Sequence, residues 1–150
     1  MRSLPHDNRG PKIEISSTIQ FARGRRVILD HDLAAIYGVT TSRLNEQIKR
    51  NASRFPEDFA FRLDAEETRA LNLSQFATGS QRHRDPRRPP HAFTEHGAVM
   101  ASTVLNSPKA IAMSLYVVRA FVRLREVLAL NTELAKRLDE LETRLVFRRD

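Results

Sequence analysis

The stretch RVILDHDLAAIYGVTTSRLNEQIKRN, from Arg26 to Asn51, constrains the fold of this chain more than any other. Leu33, Ile36 and Tyr37 recur at helical spacing and so share one face. Asp30 stands where an N-cap is wanted, and Asp32 adds an acid to the first turn, where the helix dipole favours it. Gly38 can take the left-handed conformation that ends a helix abruptly, and Val39 can pack back into the corner. Thr40 or Thr41 then caps a second helix whose apolar positions are Leu44 and Ile48. The pattern predicts a strand end, a short helix, a tight turn and a second helix. This is the helix-turn-helix outline, whose second helix usually enters the DNA major groove.

At about 100° per residue, Leu44 and Ile48 point one way. Ser42, Arg43, Glu46, Lys49 and Arg50 point the other, with Asn45 and Gln47 on the flanks. Short hydroxyls at the start (Thr40, Thr41, Ser42) and Arg, Asn and Gln along the helix offer the donor and acceptor forks that read base edges. The same pattern also suits an ordinary surface helix of a small bundle. One position departs from the standard motif, which wants an apolar residue at Gln47; here the apolar residue is Ile48.

Charge separates the candidate partners. Lys and Arg number 25 against 18 acids, a formal net charge of +7, and most of the basic residues are Arg. Such an excess points to a polyanion, and Arg suits bidentate contacts to phosphate or guanine. With 41% hydrophobic residues the chain can bury a core, and with no cysteine it has neither a disulfide framework nor a thiolate metal site. No apolar run approaches membrane-spanning length and no signal peptide is evident, so a cytoplasmic protein without membrane association is expected.

Along the chain, residues 1–11 read as a disordered tail. Ile13, Ile15, Ile19 and Phe21 alternate, Arg23-Gly24-Arg25 makes a turn, and RVIL follows, which predicts a β-hairpin. Its turn carries Arg23, Arg25 and Arg26 as candidate phosphate contacts. DFAFRL reads as a strand with Phe59, Phe61 and Leu63 on one face, and Asp64 caps a helix with Glu66 and Glu67 in its first turn. Thr78 to Pro90 is a loop rich in proline, and Arg82, Arg84, Arg87 and Arg88 make it a candidate phosphate-binding or minor-groove arm. Thr94 caps a helix with Val99, Met100, Val104 and Leu105 apolar. Asn106-Ser107-Pro108 breaks it and starts the last helix, with Ser107 as N-cap and Pro108 in its first turn.

That last helix runs past Leu145. Leu124, Val127, Asn131, Leu134, Leu138, Leu141 and Leu145 alternate three and four apart, a heptad seam in which Asn131 takes an a position. In a parallel pair Arg137 at g would face Glu142 at the following e, an exposed pair that contributes only about 0–1 kcal/mol. A homodimer through this helix is expected, with packing upstream of Leu124 contributing. The seam could instead fold back on the chain's own core.

No nucleophile triad, phosphate-cradling glycine loop or metal spacing stands out. His83, His91 and His96 fit no ligand motif, and Glu95 serves the start of its helix better than it serves acid–base chemistry. An enzyme, a metal and a cofactor are not expected.

Four blocks in order, RGRRVILDHDLAAIYGVTTSRLNEQIKRNASRFPEDFAFRL, LSQFAT, PHAFTEHGAVMASTVLNS and RAFVRLR, resemble the ORF-six-N domain, a phage and prophage family related to the KilA-N DNA-binding domains. The resemblance covers roughly Ile13 to Arg125. It implies a small α+β DNA-binding domain of phage regulators and antirepressor-like proteins, with the DNA-facing part between Thr40 and Asn51. The loop before AFTEHG departs from the family pattern, being rich in Arg and Pro where more glycine is expected.

The expected architecture is therefore α+β: a small hairpin and strand layer with a helix-turn-helix-like core over residues 12–125, then a coiled-coil dimerisation helix over 126–150. The expected function is transcription regulation by binding double-stranded DNA through Thr40, Thr41, Ser42, Arg43, Asn45, Gln47, Lys49 and Arg50. Arg23, Arg25, Arg82, Arg84, Arg87 and Arg88 would add further contacts. The alternative is an antirepressor that binds a repressor protein.

Overall fold

The computed structural model describes residues 14–77 and 87–149. The segment read as the first half of a long strand is a 3₁₀ turn over Ile15–Thr18. The Thr18 hydroxyl donates to the Ile15 carbonyl at 2.6 Å and Ser17 to that of Glu14 at 2.7 Å. Hydroxyls that reach back to a carbonyl three residues earlier offer the backbone this local alternative, so Ile15 reaches the core from a turn. The hairpin follows: β1 (Ile19–Ala22) and β2 (Arg25–Leu29) pair antiparallel, with Ala22 opposite Arg25. The two residues between them, Arg23 and Gly24, both have positive φ, 53° and 73°. That is the primed turn whose twist matches a hairpin.

β2 runs directly into α1 (Asp30–Tyr37), and α2 (Thr41–Arg50) follows after Gly38. A 3₁₀ turn over Ala52–Arg54 leads to β3 (Ala60–Arg62) and α3 (Ala65–Ala77). Asp64 and Glu67 form a reciprocal capping box there: the Glu67 N–H donates to Asp64 Oδ1 at 2.7 Å and the Asp64 N–H to Glu67 Oε1 at 2.8 Å. β4 (His91–Phe93) precedes α4 (Glu95–Leu105) and α5 (Pro108–Arg149). β4 has only three residues and no detectable period, so it was invisible in the sequence. Yet it lies inside the sheet, whose order is β1-β2-β4-β3 with every pair antiparallel.

The sheet is covered on both faces. Strand alternation sends Ile19, Ile28, Ala60 and Phe93 toward the helical core of α1, α2, α4 and α5. It sends Ala22, Val27, Leu29, Phe61 and Ala92 to the opposite face, where Leu71 of α3 packs. α4 faces the core with small residues, Gly97, Ala98, Ala101 and Ser102, while the larger Val99, Met100 and Val104 are only half-buried. The reason is close approach: a Cβ on Gly97 would lie 1.8 Å from the Phe59 carbonyl oxygen. That carbonyl also accepts from the Thr94 N–H at 3.0 Å and the Thr94 hydroxyl at 3.1 Å.

α5 has two parts. Up to Phe121 it carries core residues, with Ala110, Val117, Ala120 and Phe121 buried against the domain. From Arg125 to Leu145 every residue is exposed. The stripe that continues the core face therefore leaves the domain bare; it does not fold back. Packing of the seam upstream of Leu124, expected to help a dimer, is already used by the chain's own core.

Candidate nucleic-acid interface

The corner between α1 and α2 is built by backbone bonds. Gly38 lies at φ 74° and ψ 31°, and the Val39 N–H reaches back to the Ala34 carbonyl at 3.0 Å, the six-to-one bond of a Schellman stop. A side chain at Gly38 would be strained by its φ, and its Cβ would come within 2.8 Å of the Lys109 side chain. Thr40 caps α2, its hydroxyl oxygen accepting from the Arg43 N–H at 3.0 Å. Val39 and Leu44, at the positions of a hydrophobic staple, both pack into the helical core.

Leu44 and Ile48 are buried, and α2 rests through them on α1 and α4. Thr40, Ser42, Arg43, Glu46, Lys49 and Arg50 are exposed, while Thr41, Asn45 and Gln47 are half-buried. Arg50 lies 3.6 Å from Glu46 in an exposed pair; the side chains of Arg43 and Lys49 have no ion-pair partner among the described residues. At the far end, Asn51 closes the helix by donating from Nδ2 to the Gln47 carbonyl at 2.8 Å.

Asn45 has a different role from its neighbours. Its Nδ2 donates to Asp30 Oδ2 at 3.0 Å, across the corner. The Asp30 carboxylate is buried and does not cap α1 through the usual later N–H groups. It accepts the His31 N–H at 2.7 Å and the His91 N–H at 3.2 Å, and the His91 ring lies 3.8 Å away. Burial pushes the Asp30 carboxyl up, but His91, Asn45 and the two backbone N–H groups outweigh it and hold it below the ordinary carboxylate value. One buried carboxylate thus joins the start of α1, the middle of α2 and the start of β4. Sequence reading missed this hub, because nothing in the local pattern joins positions 30, 45 and 91.

The other predicted contacts are placed unequally. Arg23 is exposed but committed to partners within the chain: Nε and Nη2 donate to Glu67 at 2.7 and 2.9 Å, Nη2 also donates to the Arg62 carbonyl, and the guanidinium lies 4.6 Å from the Phe61 ring centroid. Its bond to Glu67 holds that carboxyl below the usual range. It pins the hairpin turn to the capping box of α3. Arg25 is exposed at a cleft of about 300 Å³, where Asp58 and Glu95 offset Arg26 and Arg125; Glu95 is ion-paired with Arg125. Arg26 is half-buried, and its enclosed Nε has no partner among the described residues. Arg82 and Arg84 lie outside the described residues. Arg87 and Arg88 are exposed. The chain after them is fastened where Pro89 and Pro90 carbonyls accept from Arg62 Nε and the Leu63 N–H, just before His91 joins the Asp30 hub.

Among the described residues no group of three or more His, Cys, Asp or Glu is placed to hold a metal ion. His96 is exposed and stacks on Phe59, ring centroids 5.5 Å apart. Likewise, among these residues no helix is long and apolar enough to cross a membrane.

A four-stranded antiparallel sheet with a tight pair of short helices on one face defines a small α+β domain with one outward basic helix. The family model described as the ORF6N domain matches residues 17–104, more than half of the 150-residue chain. The chain belongs to that phage-associated family. The match spans β1 to α4 and stops short of α5. No match was found among the curated proteins or among the solved structures.

Proposed function

We propose that this chain is a DNA-binding regulator of phage or prophage type that presents α2 to double-stranded DNA. The observation that carries the reading is the division of α2: two buried anchors, Leu44 and Ile48, against an outer face with Ser42, Arg43, Lys49 and Arg50 exposed. A helix held rigidly by its caps and by Asp30 keeps those groups in a fixed register, which base reading requires. Arg43 and Arg50 are the candidate base-reading arginines; Lys49 and the exposed Arg87 and Arg88 are candidate phosphate contacts, which position the protein without carrying sequence information. Asn45 acts by positioning α2, and Arg23 by holding the hairpin. No catalytic step is part of this reading.

The rival reading, an antirepressor that grips a repressor protein, would use the exposed apolar seam of α5 and leave α2 idle. Substitution separates the two. Arg43→Ala and Arg50→Ala should leave the fold intact and weaken DNA binding, a base-reading arginine by about 1–3 kcal/mol with relaxed preference at one base pair. If both variants bind as the parent does while Leu44→Ala unfolds the domain, α2 is structural and the reading fails.

A further inference from the structure

The bare half of α5 and a small apolar cleft at its root adjoin each other. Val127, Leu134, Leu138, Leu141 and Leu145 are each 47–56% exposed along one stripe. Leu128 and Leu130 flank it, 41% and 66% exposed, so the apolar band is widest just where the helix leaves the domain. There a cleft of about 200 Å³ opens between β1 and α5, lined by Ile19, Gln20, Phe21, Arg26, Leu124 and Leu128. Phe21 shares the helical side of the sheet with Ile19 by strand alternation, yet is 65% exposed. Val117 and Ala120, seven residues before Leu124 and Val127, are buried in the chain's own core. The domain therefore occupies the seam side of its own helix, and Phe21 stands where anything lying along the seam must end.

We infer that the seam and this cleft form one interface for a second copy of the chain, in parallel and in register. One flanking charge pair supports the copy and its direction, although the next g–e pair, Arg144 with Arg149, is like-charged. With Leu124 at a, Arg137 takes a g position and Glu142 the following e, so a parallel pair sets each Arg137 against the partner's Glu142. An antiparallel pair centred on the same leucines brings Arg137 near its own symmetry mate. The parallel register also places Asn131 opposite Asn131 of the partner subunit, where two amides can bond to each other; an apolar partner helix would leave the amide unmatched. The root cleft adds area that the short seam lacks. It takes the partner's helix around Leu128 and Leu130, which fixes each domain relative to the coil.

Sedimentation of the whole chain tests this without DNA, so its outcome is independent of the DNA reading. A dimer at about 10 μM is expected, with Leu134→Glu and Leu138→Glu together giving a folded monomer. Arg137→Glu should weaken the dimer, and adding Glu142→Arg should restore it. Phe21→Ser should raise the dimer dissociation constant by about tenfold with unchanged folding. Direction is read from Leu141→Cys, which is informative because the chain has no cysteine of its own. A parallel pair brings the two sulfurs within disulfide reach, and mild oxidation should link the copies. An antiparallel pair centred between Leu134 and Leu138 leaves them roughly 15 Å apart along the axis at about 1.5 Å per residue, still beyond disulfide reach. A monomeric parent, a Leu141→Cys dimer that does not cross-link, or a Phe21→Ser dimer as tight as the parent would overturn the proposal.

Discussion

Asn45→Ala separates a positioning role from a reading role inside the same helix. The substitution removes a hydrogen bond of 3.0 Å to a buried carboxylate, and bonds to charged groups contribute about 1.5–3 kcal/mol. Part of that loss is returned. Asn45 Oδ1 is enclosed without a partner among the described residues, and deleting an unpaired polar atom recovers on the order of 1 kcal/mol. The balance is a destabilisation of about 0.5–2 kcal/mol, or roughly 2–16 °C in thermal midpoint for a domain near 100 residues. Asp30→Ala should cost more, since it strips the acceptor from Asn45, His91 and His31 together with no such return. Binding should fall evenly across DNA sequences, because α2 loosens while Arg43 and Arg50 stay. Urea unfolding gives the first quantity, and selection from a random duplex pool gives the second. An Asn45→Ala protein of parental stability whose selected motif has lost one base pair would show that the amide reads a base, and would refute the positioning argument.

Two further outcomes follow from the same geometry. Gly97→Ala places a methyl 1.8 Å from the Phe59 carbonyl oxygen, a backbone atom tied to Thr94; a loss of about 1–3 kcal/mol or more in urea is expected, and one below about 1 kcal/mol would mean α4 does not approach the start of β3 this closely. Asp30 and Glu67 both lie below their ordinary values of 3.8 and 4.5, so the folded chain binds fewer protons than the unfolded one. Their stabilisation is complete above about pH 5 and is lost as pH falls through their depressed folded values. Asp30→Asn should flatten that acid slope between pH 5 and 2, and a slope identical to the parent's would contradict it.

Much of the fold was legible because it is written in local chemistry. Gly38, Thr40, Asp64, Thr94 and Ser107 each cap or stop a helix through atoms a few residues away. The hidden parts rest on distant partners. β4 is three residues long and has no pattern of its own, so only its pairing with β2 and β3 makes it a strand. The hydroxyls of Ser17 and Thr18 turned an alternating run into a 3₁₀ turn. Leu44 and Ile48 announced the buried face of α2, but nothing near Asn45, on the flank, signals its bond to Asp30 across the corner. Arg23 likewise resembled a free turn cation, while Glu67, 44 residues on, holds it. Spacing identified the seam of α5 and gave no sign that its upstream half belongs to the core.

The central claim is that the outer face of α2 reads DNA. Sheared genomic DNA, captured by the whole chain at a fixed salt concentration and sequenced, tests it most directly. The account predicts one recurring short motif, arranged as an inverted repeat if two copies bind together, and its disappearance when Arg43 and Arg50 are both changed to Ala. Uniform recovery of fragments by the parent, or a motif unchanged in the double variant, would contradict it.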